Sequence, residues 1–451
     1  MNGTCRLAGL AIAAALCLVL GSALGANAGL QAPAGGQDAG GGKPAYTMAE
    51  YNAYTAAQAT KDPTQQIKQL DDFVAKYPNS ALLIYVYPLY YNAYSQLKNY
   101  PKVIEYADKL IALGDKAEPP IRYQAYYARA FAYTNMNIKD TDPTAKEQAT
   151  KARQAALDGL KTLNELKAPA NMTESAFEEQ KKQPKILFNY TAANAAMVLK
   201  DCAGAVESYK AVLALTPDDA VTNYRLGQAY LCMNPPQQMD AFWSFARSVT
   251  AKNAQQQQSN QVKSYLRKLI ANYQGGNVCD SLIDAELTEL LQLASSSTER
   301  PASYKLPSST DLDAARNNMT IASVIADLKG GGDKAKITWL ASCGLEFPDV
   351  PGKLIEVTPA GDGATLKVAF VTSDAEFDSK TAPDMEVKVV GQPDATKLEK
   401  DNPVRFTGTL ASYDPDPSFM LHWDKAKVNE EDIPKEKGKK PAKRPTKKSG
   451  R

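Results

Sequence analysis

A chain of 451 residues, 44% hydrophobic and 23% charged, has apolar material for sizeable cores and length for two to four domains. Its formal net charge of +2 hides an asymmetry: Lys435 to Arg451 hold nine Lys/Arg and one Glu, a net of +8 that leaves about −6 on everything before them. The single histidine, His422, excludes a His-rich metal site and argues against a Ser-His-Asp triad.

Residues 1–28 read as a secretory signal peptide. Arg6 supplies a positive start, Leu7 to Leu24 is apolar and rich in Ala and Leu, and Ala26-Asn27-Ala28 puts small residues where a signal peptidase cleaves. The apolar run is long for a signal, so an uncleaved inner-membrane anchor is the alternative. A lipoprotein signal ending at Cys17 is disfavoured, because Leu16 stands where a small residue is needed. The protein is therefore expected to be periplasmic or secreted. Export favours disulfides over metal ligation: with Cys5 and Cys17 lost, Cys202, Cys232, Cys279 and Cys343 remain, none in a CxxC pair, and three pairings are open.

Residues 29–45, with Gly40-Gly41-Gly42, are too rich in Gly, Ala and Pro to bury a core and read as a flexible linker. From Tyr46 to about Thr298 the apolar period is helical. Helix pairs are predicted near 47–60 and 63–76, then 82–97 and 101–113, the latter closed by Gly114. Pro119-Pro120 starts a third pair, whose second helix opens at Pro143 and runs to about Leu166. Residues 168–184 read as a polar break containing Pro169 and Pro184. Further pairs follow near 185–199 and 203–215, then 220–233 and 238–251, and helices near 257–273 and 279–296 cap the array.

Residues 299–344 read as a linker plus one amphipathic stretch, Met319 to Leu340. Lys329-Gly330-Gly331-Gly332-Asp333-Lys334 interrupts that stretch. It lacks the spacing, the Ser/Thr and the preceding strand of a phosphate loop, so it is a helix-ending turn. From Pro351 the period switches to two, with strands predicted at Lys353–Thr358, Thr365–Thr372, Met385–Val390, Val404–Leu410 and Phe419–Trp423, continued by Ala426–Val428. Residues 345–430 are thus a small barrel or sandwich. Residues 431–451 read as a disordered basic tail.

Three copies of one pattern lie in the helical part. Leu226-Gly227 with Tyr230 is followed by Ala241 and Phe245; Ala193 and Ala196 by Ala205, Tyr209 and Pro217; Tyr91 and Tyr94 by Val103 and Leu110. The alternation resembles the tetratricopeptide repeat, although Ala replaces the large first-helix residues of the second copy and Tyr stands at the small position of the third. That resemblance implies about five stacked helix pairs plus capping helices, whose first helices line a peptide-binding concave face. Carried onto this sequence, the groove positions are Tyr85, Asn92, Tyr190, Asn194, Tyr224 and Gln228, with Arg122 and Arg129 in the middle repeat suited to a carboxylate. The same register makes Cys202 and Cys232 neighbours in the stack, implying a Cys202–Cys232 disulfide and, with it, Cys279–Cys343. Most of the tyrosines are expected in core packing.

Gly408-Thr409-Leu410-Ala411-Ser412-Tyr413-Asp414-Pro415 and Phe419-Met420-Leu421-His422-Trp423 resemble the fourth strand, turn and last strand of an oligonucleotide/oligosaccharide-binding (OB) fold. His422 reads as a surface or half-buried structural residue, and Asp414 and Asp416, interleaved with Pro415 and Pro417, as turn formers rather than calcium ligands. No constellation singles out catalytic groups, so neither an enzyme, a cofactor nor a metal is expected. The expected function is an interaction scaffold of the bacterial envelope that binds protein or peptide partners. The alternative is a polymer- or glycan-binding protein acting through the β domain. The basic tail suits an anionic envelope surface, and export argues against nucleic acid.

Overall fold

The structure, a computed structural model, describes residues 45–434 except 137, 139, 140, 318 and 416. The expected signal peptide, nearly all of the linker and the basic run from Lys435 lie outside the described residues. Among the described residues, sixteen α-helices are followed, and at one place interleaved, by five strands. The chain forms two compact units, residues 45–266 with 289–304, and residues 267–288 with 305–434.

The first unit is built on helices α1 (Met48–Ala59), α2 (Pro63–Lys76), α3 (Leu83–Gln96), α4 (Tyr100–Ile111), α5 (Pro119–Asn135), α6 (Ala145–Glu165), α7 (Glu174–Val198), α8 (Cys202–Leu215), α9 (Ala220–Cys232) and α10 (Gln238–Thr250). Their starts are written locally. Asp62, Asn99, Asp201 and Asp219 each accept a backbone N–H of the first turn, and Thr47 forms a capping box with Glu50. Two turns repeat the same chemistry. Leu97-Lys98-Asn99 and Leu199-Lys200-Asp201 each hold the lysine in the left-handed region, at φ 55° and 63°, before an Asn or Asp that caps the next helix. Sequential helices pack side by side, and α3 also contacts α5 and α5 contacts α7. Where helices come closest a glycine faces a ring: a Cβ on Gly159 would lie 2.5 Å from Phe188, and one on Gly227 2.8 Å from Phe245.

One expected break is absent. Residues 174–184 belong to α7, which Thr173 caps, and Pro184 sits inside the helix. Burial of Phe177, Lys181 and Pro184 on this turn offsets the hydrogen bond that proline removes.

The second unit contains the end of α11 (Gln256–Tyr273) and the start of α12 (Asp280–Ser296), which the sequence assigns to the array. Their attachments explain the reassignment. Arg267 bonds Asp280 and Asp284 at 2.7 and 2.6 Å, Gln274 bonds Glu286 at 2.8 Å, and Cys279 is joined to Cys343. The segment expected to be a Pro/Ser-rich linker forms α13 (Ser309–Asn317), started by reciprocal Ser308–Asp311 hydrogen bonds and anchored by Leu312 against Leu340 and Ala341. Gly331, at φ 69°, separates α14 (Ile321–Gly330) from α15 (Gly332–Ser342).

Strands β1 (Glu346–Ala360), β2 (Gly363–Phe370), β3 (Met385–Val389), β4 (Pro403–Asp414) and β5 (Met420–Val428) close into a barrel in the order β1-β2-β3-β5-β4, and a short helix, α16 (Asp374–Ser379), lies between β2 and β3. All pairs are antiparallel except β3–β5. The period-two alternation sends Leu366, Val387, Phe406, Leu410, Leu421 and Trp423 inward, where Val324 and Leu328 of α14 complete the core. Asp432 and Ile433, expected in the tail, are instead held: Asp432 accepts from Arg405 and Ile433 lies against the barrel core.

Candidate interaction site

Helices α7 and α9 carry four of the eight expected groove residues, and each is half-exposed. Tyr190 meets the ring of Tyr209 (α8) edge-on, with centroids 6.1 Å apart. The Tyr209 hydroxyl, buried and donating to Asn194 Oδ1 at 2.6 Å, ties that pair together. Burial pushes the Tyr209 phenol well above its usual range, so it stays a neutral donor. On α9, Gln228 donates to the Tyr224 hydroxyl at 3.2 Å and accepts from Arg225 at the same distance. Tyr224 packs on Phe245 (5.5 Å), and Phe245 on the exposed Tyr265 of α11 (5.4 Å). Beside Tyr224 a shallow depression, open to solvent, is lined by Val221, Ser248, Gln255, Gln258 and Val262. Helix α9 is pinned at its end by the Cys202–Cys232 disulfide, whose Cα atoms are 5.7 Å apart. The α7–α8 turn is held by Arg153–Asp201 at 2.6 Å.

The other four expected groove residues do not join this tract. Tyr85 belongs to the aromatic packing around Tyr54, with rings 6.2 Å apart, and burial together with Glu118 raises its phenol. Asn92 is exposed on α3. Arg122 pairs with Asp115 at 2.8 Å. Arg129 is a correction: it is 1% exposed, bonds Asp108 (α4) at 2.6 Å and Gln148 (α6) at 3.3 Å, and faces the inside of the array. Asp108→Ala is expected to cost about 2 kcal/mol, because it strands a buried guanidinium, and Arg129→Met, of similar shape, less than about 1 kcal/mol. Thermal unfolding of the two variants makes the comparison.

Sequence reasoning missed Tyr209 as the group that holds Tyr190 and Asn194, and it missed Arg225 beside Gln228. The signal for Arg225 was present: a charge between two expected groove residues on an otherwise uncharged helix.

The barrel presents a different surface. Residues paired in register across β1, β2, β3 and β5 form a row of Glu356, Lys367, Glu386 and His422. His422 Nδ1 faces Glu386 at 3.3 Å and its Nε2 faces Asp414 at 2.9 Å, while Lys367 reaches Glu356 at 3.9 Å and Lys388 reaches Asp424 at 3.5 Å. The charges on this face satisfy one another. Among the described residues no group of three His, Cys, Asp or Glu is placed to hold a metal ion, and no helix is long and apolar enough to cross a membrane. The two disulfides suit an oxidising, extracytoplasmic compartment.

No protein-family model matches the chain, and no curated protein matches it.

Proposed function

We propose that the protein is a non-catalytic, exported interaction scaffold of the bacterial envelope, in which a tetratricopeptide-type array takes an extended peptide or protein segment along α7 and α9. The observation that carries the reading is a pair of half-exposed groups, Tyr190 and Asn194 on α7 held by the buried Tyr209, and Tyr224, Arg225 and Gln228 bonded along α9 beside a shallow depression. Asn and Gln side chains offer both donors and acceptors to a peptide backbone, and tyrosines add rigid contact area. The disulfide at the end of α9 pre-organises this surface, which lowers the ordering cost of binding. The disulfides and the signal-like sequence of residues 1–28 support periplasmic or secreted localisation, and the charge of the basic tail suits a second contact, to an anionic envelope surface. The internally paired β1-β2-β3-β5 face of the barrel supports polymer binding less well.

Selection of peptides from a displayed random library on the full chain tests the reading. Tyr190→Ala/Tyr224→Ala is expected to weaken the selected peptides at least about tenfold, and Lys367→Ala/Lys388→Ala to leave them unchanged. The reverse pattern would move the function to the barrel.

A further inference from the structure

Three tyrosines of the first unit share an arrangement that packing alone does not require. Tyr90 and Tyr94 of α3 and Tyr106 of α4 lie nearly parallel, with Tyr90 facing Tyr106 at 3.9 Å between centroids and 8° between planes. Tyr94 stands 5.7 Å from Tyr106 and 6.3 Å from Tyr90, at 17° and 9° to them. Aromatic pairs favour offset or edge-on contacts at about 4.5–7 Å, because facing quadrupoles repel. Phe73–Tyr77 and Tyr224–Phe245, at 5.3 and 5.5 Å, keep to that range. The Tyr90–Tyr106 contact is closer, and it lets the two π systems overlap.

The polar groups around the stack set what it can do. Tyr90 is 1% exposed, and its hydroxyl donates to Asp71 Oδ1 of α2 at 2.7 Å, while Asp71 itself is exposed. Burial pushes the Tyr90 phenol well above its usual range and that of Tyr106 up to about 12, so neither ionises unaided at neutral pH. Lys109 Nζ, which Glu105 also holds at 2.7 Å, lies 4.3 Å from the Tyr106 centroid and disfavours a further positive charge on that ring. Removing an electron from a phenol leaves a radical cation, which readily sheds its hydroxyl proton. In a buried stack that charge is avoided only if the proton leaves with the electron. Tyr90 has a base in place to take it. Tyr94 is half-exposed and brings the stack to the surface.

We propose that Tyr90, Tyr106 and Tyr94 form a one-electron relay that reduces peroxyl radicals, with Asp71 as the proton acceptor. The electron leaves Tyr90 by way of Tyr106 and Tyr94 and goes to a peroxyl radical at the surface. The Tyr90 O–H bond breaks, and its proton bonds to Asp71 Oδ1. The products are a neutral Tyr90 phenoxyl radical, a protonated Asp71 and a hydroperoxide anion. Asp71 returns its proton to water, and the anion takes one up to become a hydroperoxide. One phenol is oxidised for each peroxyl radical reduced. Burial of Tyr90 keeps its radical from coupling with a second chain. This chemistry is independent of peptide binding on α7 and α9.

Peroxyl radicals from a water-soluble azo initiator, applied to the full chain, are the probe. Freeze-quenched electron paramagnetic resonance follows the tyrosyl signal, and circular dichroism confirms the fold of each variant. The parent chain is expected to show a fast phase of radical formation that slows in deuterium oxide. Asp71→Asn keeps the shape but is a far weaker base, and Tyr90→Phe has no hydroxyl; each is expected to lower the fast-phase rate at least about tenfold. Asp71→Glu, which restores the base, is expected to recover most of the rate. Tyr100→Phe, whose ring meets Phe131 rather than the stack, is expected to leave it unchanged. A parent chain without a fast phase, or an Asp71→Asn chain that reacts as fast as the parent, overturns the proposal. So does a fast phase that Asp71→Asn abolishes but deuterium leaves unchanged in the parent, since Asp71 would then only support the stack.

Discussion

Replacing Cys279 and Cys343 together by serine will lower the stability of the second unit by about 4 kcal/mol, the loop-closure value for a bridge spanning 64 residues. The bridge sits at two structural junctions. The Cys279 carbonyl accepts the N–H groups of Leu282 and Ile283 at the start of α12, and the Cys343 N–H donates to Trp339 at the end of α15. One residue on, Gly344 donates to Leu410 of β4, so the linked segment leads directly into the barrel. Without the bridge, the unfolded chain gains the freedom of that loop while the native contacts change little. Urea unfolding of the full chain, with and without the two serines, measures the difference. A loss below about 1 kcal/mol would mean that the bridge only decorates an already constrained unit. Removing Cys202 and Cys232 should cost slightly less, about 3.5 kcal/mol for a separation of 30, and should act on the first unit.

Trp423→Ala will cost about 4 kcal/mol, as expected for a large aromatic removed from a closed core. Trp423 is 0% exposed, and its ring meets Phe406 and Phe347 edge-on at 5.3 and 5.7 Å. A five-stranded barrel has no slack to refill such a space, because its radius is fixed by strand number and register. Trp423→Phe separates packing from polarity. The indole Nε1–H is buried without an acceptor, so deleting it relieves a desolvation cost that offsets part of the lost volume. The net change for phenylalanine should be below about 1.5 kcal/mol. Equal losses for Ala and Phe in the same urea titration would contradict this assignment of the core.

Much of the architecture was legible because it rests on local rules. Turn residues at Asn99, Asp201 and Asp219 mark helix starts through side-chain capping, which any sequence displays. Strand β3, and β4 as far as Leu410, alternate cleanly, so their inward faces follow from period two alone. The misses share a cause. Pro184 and the polar run before it look like a break, yet tertiary burial of Phe177 and Lys181 holds them helical. Helix α13 and the reassigned ends of α11 and α12 depend on contacts far apart in sequence, such as Cys279–Cys343 and Lys336–Glu286 at 3.8 Å.

The candidate site divides in the same way. Tyr190, Asn194, Tyr224 and Gln228 are half-exposed on α7 and α9, the first two held by Tyr209 and the last two bonded to each other beside Arg225. Arg129 does not, because successive helical residues differ in direction by about 100°, and a carboxylate on a neighbouring helix decides which way a long side chain runs. Arg225 was overlooked for the converse reason. What distinguishes it is that its guanidinium meets the Gln228 amide and no carboxylate, unlike the other arginines among the described residues.

Hydrogen exchange of the full chain with a library-selected peptide is the most direct test of the binding surface. Slowed exchange in α7 and α9, around Tyr190 to Asn194 and Tyr224 to Gln228, with β2 and β3 unchanged, is the expected result. Protection confined to the barrel strands, with α7 and α9 exchanging as in the free protein, would contradict a helical peptide-binding surface.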